Sequence, residues 1–202
     1  MNGKMKIVGL TGGSGTGKGT VAARMQALGA GWVDADAVYR GLCAHDRTML
    51  AALDAAFGGV LDAFGRLDRP KLAAIVFSDP AKLRRLNEIT RPYIRAASLA
   101  AIQAQSGCPI VLYDAPTLFE AGAEDLCERV IGVLADSEIR VQRVMARDGI
   151  DEAAARARIA AQPEDGFYRA RCDYILENNG DLAALRRETD ALYDQLIKGV
   201  QE

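Results

Sequence analysis

Residues 7–20 read IVGLTGGSGTGKGT, and this stretch decides the fold of the chain. Its apolar start is typical of a buried strand, glycines follow at positions 12, 13, 15 and 17, and a helical pattern of apolar residues continues beyond it. Glycines let the backbone turn several N–H groups inward, and the first turn of a helix adds the positive end of its dipole. The stretch therefore predicts a strand, a turn that binds phosphate groups, and a helix.

The spacing of Gly12, Gly17 and Lys18 matches the P-loop pattern, in which the lysine reaches the β- and γ-phosphates of a nucleotide. A glycine-rich linker would need neither the strand before the turn nor the helix after it. The pattern continues with Ser or Thr, whereas this chain has Gly19 and only then Thr20, so the usual hydroxyl ligand of Mg²⁺ is replaced. Lys18 is also a predicted catalytic residue, because its charge can follow the phosphoryl group. The predicted ATP contacts in this segment are Gly13, Ser14, Gly15, Thr16, Gly17, Lys18, Gly19 and Thr20.

The composition favours one domain with insertions. The chain has 202 residues, half of them apolar, which is enough for a full core. A net charge of −2 argues against nucleic-acid and membrane partners, which require a basic excess. The four cysteines form no Cys-x-x-Cys pair and predict reduced thiols. Because the apolar run before the glycines is too short for a signal peptide or membrane helix, we expect a cytoplasmic protein, either a monomer or a weak homo-oligomer.

Two carboxylates follow the first predicted helix. Residues 32–36, WVDAD, predict a short strand with Asp34 and Asp36 on one face. Asp36 can be the N-cap of a helix that begins at Ala37. Alternatively, because ligands bind at the carboxyl ends of parallel strands, Asp36 can lie where a hydroxyl acceptor meets the γ-phosphate. The second interpretation makes Asp36 catalytic and acceptor-binding, and it predicts that Asp34 and Asp36, together with Asp114, hold Mg²⁺ through water.

The pattern from Thr48 to Gln105 is helical, with few strand signals. An insertion of this kind between two strands usually carries the specificity for the acceptor. Arg69 and Arg91 each stand before a proline at a predicted helix entrance. Each arginine can contact an anionic acceptor or be a solvated residue at a helix start, and the sequence leaves both interpretations open.

Residues 109–116, PIVLYDAP, predict a central parallel strand that ends at the ligand crevice. Asp114 and Pro116 at this end are predicted acceptor contacts. Glu120, in the loop that follows, can contact the acceptor or cap the next turn.

A helix with three arginines follows the fourth predicted strand, residues 129–135. Arg140, Arg143 and Arg147 fall at i, i+3 and i+7 and form one basic face. Such a row is usually solvated, but arginines on a mobile lid can neutralise a transferring phosphoryl group. Arg143 and Arg147 are therefore predicted catalytic residues. Asn178, at the exit of a fifth strand, is the remaining predicted ATP contact, at the rim of the base site.

Taken in order, these motifs resemble the dephospho-CoA kinase family over nearly the whole chain. The P-loop, the Asp34-Ala35-Asp36 stretch and residues 116–120, PTLFE, each resemble a motif of that family. Further likenesses are Gln142-Arg143, Arg147, residues 158–162 (RIAAQ) and residues 173–178 (DYILEN). The chain departs from the family at Gly19, where Ser is usual, at Arg91, where His is usual, and at Tyr168, where the lid often has Lys. Residues 17–20 instead resemble the adenylate kinases.

The resemblance implies an α/β P-loop kinase fold, with a five-stranded parallel sheet flanked by helices, a helical acceptor-binding insert and an arginine-rich lid. The implied core spans residues 1–47, 108–138 and 173–202, the insert 48–107 and the lid 139–172. The implied reaction transfers the γ-phosphoryl group of ATP to the ribose 3′-hydroxyl of dephospho-CoA, with Mg²⁺ as cofactor and Asp36 as base. Two alternatives stay open, namely another P-loop kinase for small molecules or nucleoside monophosphates, and a non-catalytic nucleotide sensor. A guanine-nucleotide switch is not favoured, because the chain has no Asn-Lys-x-Asp run.

Overall fold

The computed structural model describes residues 5–198, in which five strands are separated by one or more helical segments. The strands are β1 (Lys6–Thr11), β2 (Gly31–Asp34), β3 (Ile110–Asp114), β4 (Arg129–Leu134) and β5 (Tyr174–Glu177). The helices are α1 (Lys18–Ala27), α2 (Ala35–His45), α3 (Arg47–Phe57), α4 (Arg69–Phe77), α5 (Pro80–Gln103), α6 (Ser137–Asp148), α7 (Glu152–Ala160), α8 (Asp165–Arg169) and α9 (Leu182–Lys198), and a 3-10 turn spans Glu124–Leu126.

The strands form one parallel sheet in the order β2-β3-β1-β4-β5, which confirms the predicted fold class. β1 lies in the middle and pairs with β3 on one side and β4 on the other. Leu10 and Thr11 of β1 point to opposite faces of the sheet and are both fully buried, as expected for a strand that is covered on both faces. Because β1, β3 and β4 run in the same direction, the glycine-rich turn after β1 lies at the same edge of the sheet as the ends of its neighbours.

The chain divides into two compact units. The first contains the residues up to Val33 and those from Ala104 onward, and the second is Asp34–Gln103. In the first unit, α1 and α9 share a core with the sheet, to which Met25, Leu192 and Ile131 contribute. Full burial of side chains of this size contributes about 1.5–3 kcal/mol each.

The second unit contains α2 to α5 and has its own apolar core. Its buried members are Cys43, Met49, Leu53, Val60, Leu72 and Val76. The unit is helical apart from one antiparallel bridge between Leu61 and Leu67. It begins at Asp34, before the residue 48 expected for the insert, and the division into core, insert and lid stays a prediction.

The prediction that β2 continues to residue 36 is wrong. β2 ends at Asp34, whose carboxylate accepts hydrogen bonds from the backbone N–H of Asp36 (2.8 Å) and of Ala37 (3.1 Å). Asp34 is therefore the N-cap of α2, and Asp36 lies in the first turn of that helix. The two carboxylates consequently do not share the face of a strand.

Pro92 does not mark the start of a helix, contrary to the expectation, but lies inside α5. An interior proline removes one backbone hydrogen bond, which usually breaks a helix. Here the helix continues because Leu86, Ile89 and Tyr93 pack on the core of the second unit. The other expected entrance is confirmed, since Asp68 is the N-cap of α4 and accepts from the backbone N–H of Lys71 at 3.0 Å.

The four cysteines are free thiols. Burial raises the pKa of Cys127 to about 12 and that of Cys172 to about 11, so both stay protonated at neutral pH. Among residues 5–198, no helix has the length and apolar character needed to cross a membrane.

Candidate active site

The turn between β1 and α1 has the conformation of a phosphate-binding loop. Gly12, Gly15 and Gly17 adopt φ values of 138°, 80° and 101°, where residues with side chains are rarely found. A Cβ atom would lie 2.2 Å from the Val133 carbonyl oxygen at position 12, and 2.2 Å from Asn178 Nδ2 at position 17. Gly17 is the N-cap of α1 and forms no side-chain cap, so the N–H groups of the first turn can bind an anion.

Lys18 is the first residue of α1, and its ammonium group lies at this loop. Nζ donates to the carbonyl oxygens of Gly12 at 2.7 Å and of Gly13 at 3.4 Å. These contacts keep the positive charge at the turn where the sequence pattern predicts the β- and γ-phosphates of a nucleotide to bind.

Two arginines of α6 hold the loop from the side. Arg140 Nε donates to the Ser14 carbonyl oxygen at 3.0 Å, and Arg143 Nη1 donates to that of Gly15 at 3.3 Å. Arg140 is only 5% exposed. The arginines of the predicted basic face therefore do not share one role. Arg140 and Arg143 bond to the loop.

Arg147, the third arginine of the row, bonds to a neighbouring carboxylate and, within residues 5–198, not to the loop. It is exposed and donates to the Asp148 carboxylate at 2.7 and 2.9 Å. Arg158 of α7 pairs with the same carboxylate. These hydrogen bonds and charges lower the pKa of Asp148 to about 2. The ion pairs thus join α6 to α7, and the catalytic role of Arg147 stays a prediction.

Asn178, which follows β5, forms a hydrogen bond to the loop. The residue is 6% exposed, its Nδ2 donates to the Thr16 carbonyl oxygen at 2.7 Å, and its Oδ1 accepts from Arg143 Nη2 at 3.3 Å. Both ends of the amide therefore bond to protein groups. This geometry gives Asn178 a role in shaping the loop, while its contact with a nucleotide base stays a prediction.

Gln162, two residues after α7, is a loop contact that the sequence analysis did not identify. Its Oε1 accepts from the Ser14 backbone N–H at 2.8 Å and from Arg140 Nη2 at 2.9 Å. The only available signal was its place at the end of an arginine-rich helix, within a stretch that resembles a family motif.

The end of β3 and the loop that follows hold the other predicted acceptor residues of the first unit. Asp114 is the last residue of β3 and is 8% exposed, and the Pro116 carbonyl oxygen accepts from Thr11 Oγ1 at 3.3 Å. Pro116 is thereby tied to the end of the strand that leads into the P-loop. Glu120 is exposed, and its contact with an acceptor stays a prediction.

Tyr168 lies in α8, where the family often has a lysine, and it is buried. Burial raises the pKa of Tyr168, and the negative charge of Glu120 raises it further. The adjacent Phe167 packs edge-on against Phe119, with ring centroids 5.6 Å apart. These contacts connect α8 to the loop after β3, so position 168 serves packing here.

Asp34, Asp36, Arg69 and Arg91 belong to the second unit. Besides capping α2, the Asp34 carboxylate accepts from Arg40 Nη2 at 3.3 Å. The Asp36 carboxylate is exposed and has no hydrogen-bond partner within residues 5–198. Arg69 begins α4 and Arg91 lies within α5, and both are exposed. Their contacts with an acceptor stay predictions.

The side chains of the P-loop offer few oxygen atoms to a metal ion. In the described part of the chain, no three His, Cys, Asp or Glu side chains cluster so as to hold a metal ion. The Thr16 hydroxyl donates to the Gly13 carbonyl oxygen at 2.9 Å, and Gly19 supplies no side-chain oxygen. Mg²⁺ often keeps several waters and takes one or two carboxylates plus phosphate oxygens, so the loop itself need not supply a side-chain ligand.

A groove with a volume of about 560 Å³ adjoins the first turn of α1. Leu182, the first residue of α9, is 50% exposed and offers an apolar surface there. The lining residues are Gly19, Thr20, Ala23, Arg24, Ala27, Leu182 and Arg186. The groove thus combines an apolar wall with two arginines and begins where the P-loop ends.

The sheet is parallel, a glycine-rich loop follows its central strand, and a lysine begins the next helix. Arginines pack on that loop. Together these features define a P-loop kinase. The sequence model of the family described as dephospho-CoA kinase matches residues 6–184. The chain belongs to the dephospho-CoA kinase family.

Individual relatives and solved structures are similar to this chain over nearly its whole length. The dephospho-CoA kinase of Anaeromyxobacter dehalogenans (strain 2CP-C) is 43% identical over 199 residues, which cover 96% of this chain and 94% of the relative. The crystal structure of TT1252 from Thermus thermophilus has a TM-score of 0.82 and 35% identity, covering 96% of this chain and 98% of that one. The dephospho-CoA kinase from Campylobacter jejuni has a TM-score of 0.72 and 25% identity at the same coverage.

Proposed function

We propose that this chain transfers the γ-phosphoryl group of ATP to the ribose 3′-hydroxyl of dephospho-CoA, giving ADP and coenzyme A in the last step of coenzyme A biosynthesis. The observation that carries the proposal is the match to the dephospho-CoA kinase family over residues 6–184. The conformation of the P-loop and the position of Lys18 support it, since both suit a bound polyphosphate.

In this proposal the P-loop binds the phosphate chain through its backbone N–H groups and the Lys18 ammonium. Arg143 and Arg147 supply positive charge to the transferring group. Arg143 already lies against the loop, whereas Arg147 must first exchange the Asp148 carboxylate for a phosphoryl oxygen. The arginines therefore differ in how far each must move.

Asp36 would accept the proton of the acceptor hydroxyl. It suits this role better than Asp34, because Asp34 accepts two backbone hydrogen bonds as a helix cap, whereas the Asp36 carboxylate is exposed. The proposed acceptor contacts are Asp36, Arg69, Arg91, Asp114, Pro116 and Glu120.

Mg²⁺ is the proposed cofactor, and when bound it would neutralise charge on the β- and γ-phosphates. Asp34 and Asp36 would hold it through water. Asp36 offers the freer carboxylate, because Asp34 is engaged as the helix cap. The cytoplasmic location and the monomeric or weakly oligomeric state stay predictions.

The Gly19→Ser variant is expected to lower the Mg²⁺ concentration needed for half-maximal turnover by about tenfold, the smaller of the effects seen for groups that support a metal site. The serine fits, because a Cβ at position 19 would meet no atom beyond its own helical turn within 4 Å and the glycine does not have positive φ. The measurement is a Mg²⁺ titration of turnover, with calorimetry of ATP binding at each Mg²⁺ concentration. Gly19→Ala is the matched control, and identical curves for Ser and Ala would place the metal out of reach of position 19.

The Leu182→Asp variant is expected to weaken ATP binding about tenfold, the loss of burying one apolar side chain. We propose that the nucleotide base lies in the groove beside α1, since the phosphates occupy the P-loop and the groove begins at Gly19 and Thr20. Calorimetry with ATP measures the effect, and Leu182→Met, which keeps the apolar wall, is the control. Unchanged affinity in the aspartate variant would exclude the groove as the base site.

The test of the proposed function is to incubate the purified protein with ATP, Mg²⁺ and dephospho-CoA and to separate the products by chromatography with mass detection. Coenzyme A and ADP are expected in equal amounts. Parallel reactions with nucleoside monophosphates and small alcohols test the alternative kinases. Transfer to one of these and not to dephospho-CoA would overturn the proposal, and ATP binding without any transfer would favour a sensor.

A further inference from the structure

Ser14, in the first half of the P-loop, is held through all three of its polar groups. Its backbone N–H donates to Gln162 Oε1 at 2.8 Å, and its carbonyl oxygen accepts from Arg140 Nε at 3.0 Å. Its Oγ lies 3.1 Å from Gln162 Nε2, which donates to it. Arg140 of α6 and Gln162, which follows α7, thus form hydrogen bonds to the two peptide groups of Ser14.

The two side chains also hold each other and pack closely on the loop. Arg140 Nη2 donates to Gln162 Oε1 at 2.9 Å. A Cβ at Gly13 would lie 2.3 Å from Arg140 Nη2 and 2.9 Å from Gln162 Oε1. At Gly15 it would lie 2.7 Å from the Arg140 carbonyl oxygen. No side chain can therefore come between this pair and the backbone of the loop, which fixes the loop directly to α6.

Arg140 is a buried cation whose hydrogen bonds go to neutral oxygens. Its exposure is 5%, and its ion pair with Asp165 is long, with Nη1 and Oδ1 4.0 Å apart. Desolvating a guanidinium beside neutral acceptors is unfavourable. An adjacent polyphosphate offsets that penalty, because a cation already in position stabilises added negative charge without rearrangement.

We propose that Arg140 and Gln162 are positioning residues for phosphoryl transfer, which fix the Ser14 peptide so that the N–H groups of the P-loop are held ready for the phosphates of ATP. Neither residue needs to touch the reacting atoms. If the pair is broken, the loop samples other conformations, and ATP binding must then order it. The inference rests on the proposed function only in taking ATP as the nucleotide.

The test is the affinity for ATP in calorimetry without acceptor, followed by turnover at saturating ATP. Gln162→Met keeps the length of the side chain without its hydrogen bonds, and Arg140→Lys keeps the charge without the fork that reaches two oxygens. Each variant is expected to weaken ATP binding about tenfold, the effect of losing one or two hydrogen bonds. The double variant is expected to lose little more than either single one, because both act through Ser14.

Arg156→Lys is the matched control, since this arginine of α7 bonds to Glu138 and Glu152 and not to the loop. It is expected to bind ATP like the unaltered protein. A purely structural role would lower the unfolding temperature of the Gln162 and Arg140 variants and leave the ATP affinity of the folded protein unchanged, which would overturn the inference. An unaltered protein that binds ATP but does not phosphorylate dephospho-CoA would refute the proposed function alone.

Discussion

Replacing Asp36 by asparagine is expected to lower turnover about 10²–10⁴-fold, the usual contribution of a general base. Asparagine has the size and shape of aspartate but cannot take the proton of the acceptor hydroxyl. ATP affinity is expected to stay near that of the unaltered protein, because Asp36 belongs to neither the P-loop nor the groove beside α1. The measurement combines steady-state kinetics with ATP and dephospho-CoA and calorimetry with ATP alone.

Asp34→Asn is the informative comparison for this prediction. Asparagine is as good an N-cap as aspartate, so α2 should keep its first turn in that variant. A base at position 36 requires the loss at Asp36→Asn to be much larger than at Asp34→Asn. Equal turnover in Asp36→Asn and the unaltered protein would leave Asp36 as a residue of the first helical turn without a catalytic role.

Lys18→Ala is expected to weaken ATP binding and to lower turnover about 10²–10³-fold, as the removal of a single preorganised charge-stabilising group does. Both quantities should change, because the ammonium contacts phosphate oxygens in the bound ATP and follows the charge onto the transition state. The variant also loses the hydrogen bonds from Nζ to the Gly12 and Gly13 carbonyl oxygens. Calorimetry and steady-state kinetics on the same preparation measure both effects.

A Lys18→Met variant separates the charge from the side-chain stem, since it keeps an unbranched apolar chain without the ammonium. We expect it to behave like the alanine variant. If the methionine variant bound ATP and turned over normally, Lys18 would act only through packing, and the assignment of residues 12–18 as a nucleotide-binding loop would fail.

The sequence was most informative where a local pattern determines the structure. The strand, turn and helix around Gly12 and Lys18 follow from residues that are neighbours in the chain, and the structure has β1, the loop and α1 as predicted. The apolar run that ends at Asp114 was likewise identified as a buried parallel strand. In both places, the pattern of neighbouring residues was sufficient.

Helix boundaries were less predictable, because an aspartate can be the last residue of a strand or the N-cap of a helix. The alternation of Asp34 and Asp36 indicates one strand face. In the structure, however, the Asp34 carboxylate accepts hydrogen bonds from the backbone N–H groups of the first turn of α2 and caps that helix. At Pro92 the tertiary packing of a long helix outweighed the local preference of proline for a helix entrance.

The contacts that brace the P-loop could not be predicted, because their partners are far apart in the chain. Ser14 is 126 residues from Arg140 and 148 residues from Gln162. The i, i+3, i+7 spacing of the arginines on α6 indicates a shared face, but it does not say which members of that face are buried. Only the fold turns Arg140 and Arg143 toward the loop and leaves Arg147 at the surface.

The Asp148 carboxylate accepts hydrogen bonds from Arg147 and also pairs with Arg158. This shared pairing affects how readily Arg147 can move to a bound nucleotide. The carboxylate has a pKa of about 2, so it remains charged at neutral pH. When Arg147 leaves for a phosphoryl oxygen, as proposed, Arg158 remains to neutralise the aspartate. Arg147 can therefore move without leaving the Asp148 carboxylate unpaired. Moving Arg147 breaks an exposed ion pair, and such pairs oppose their own separation only weakly.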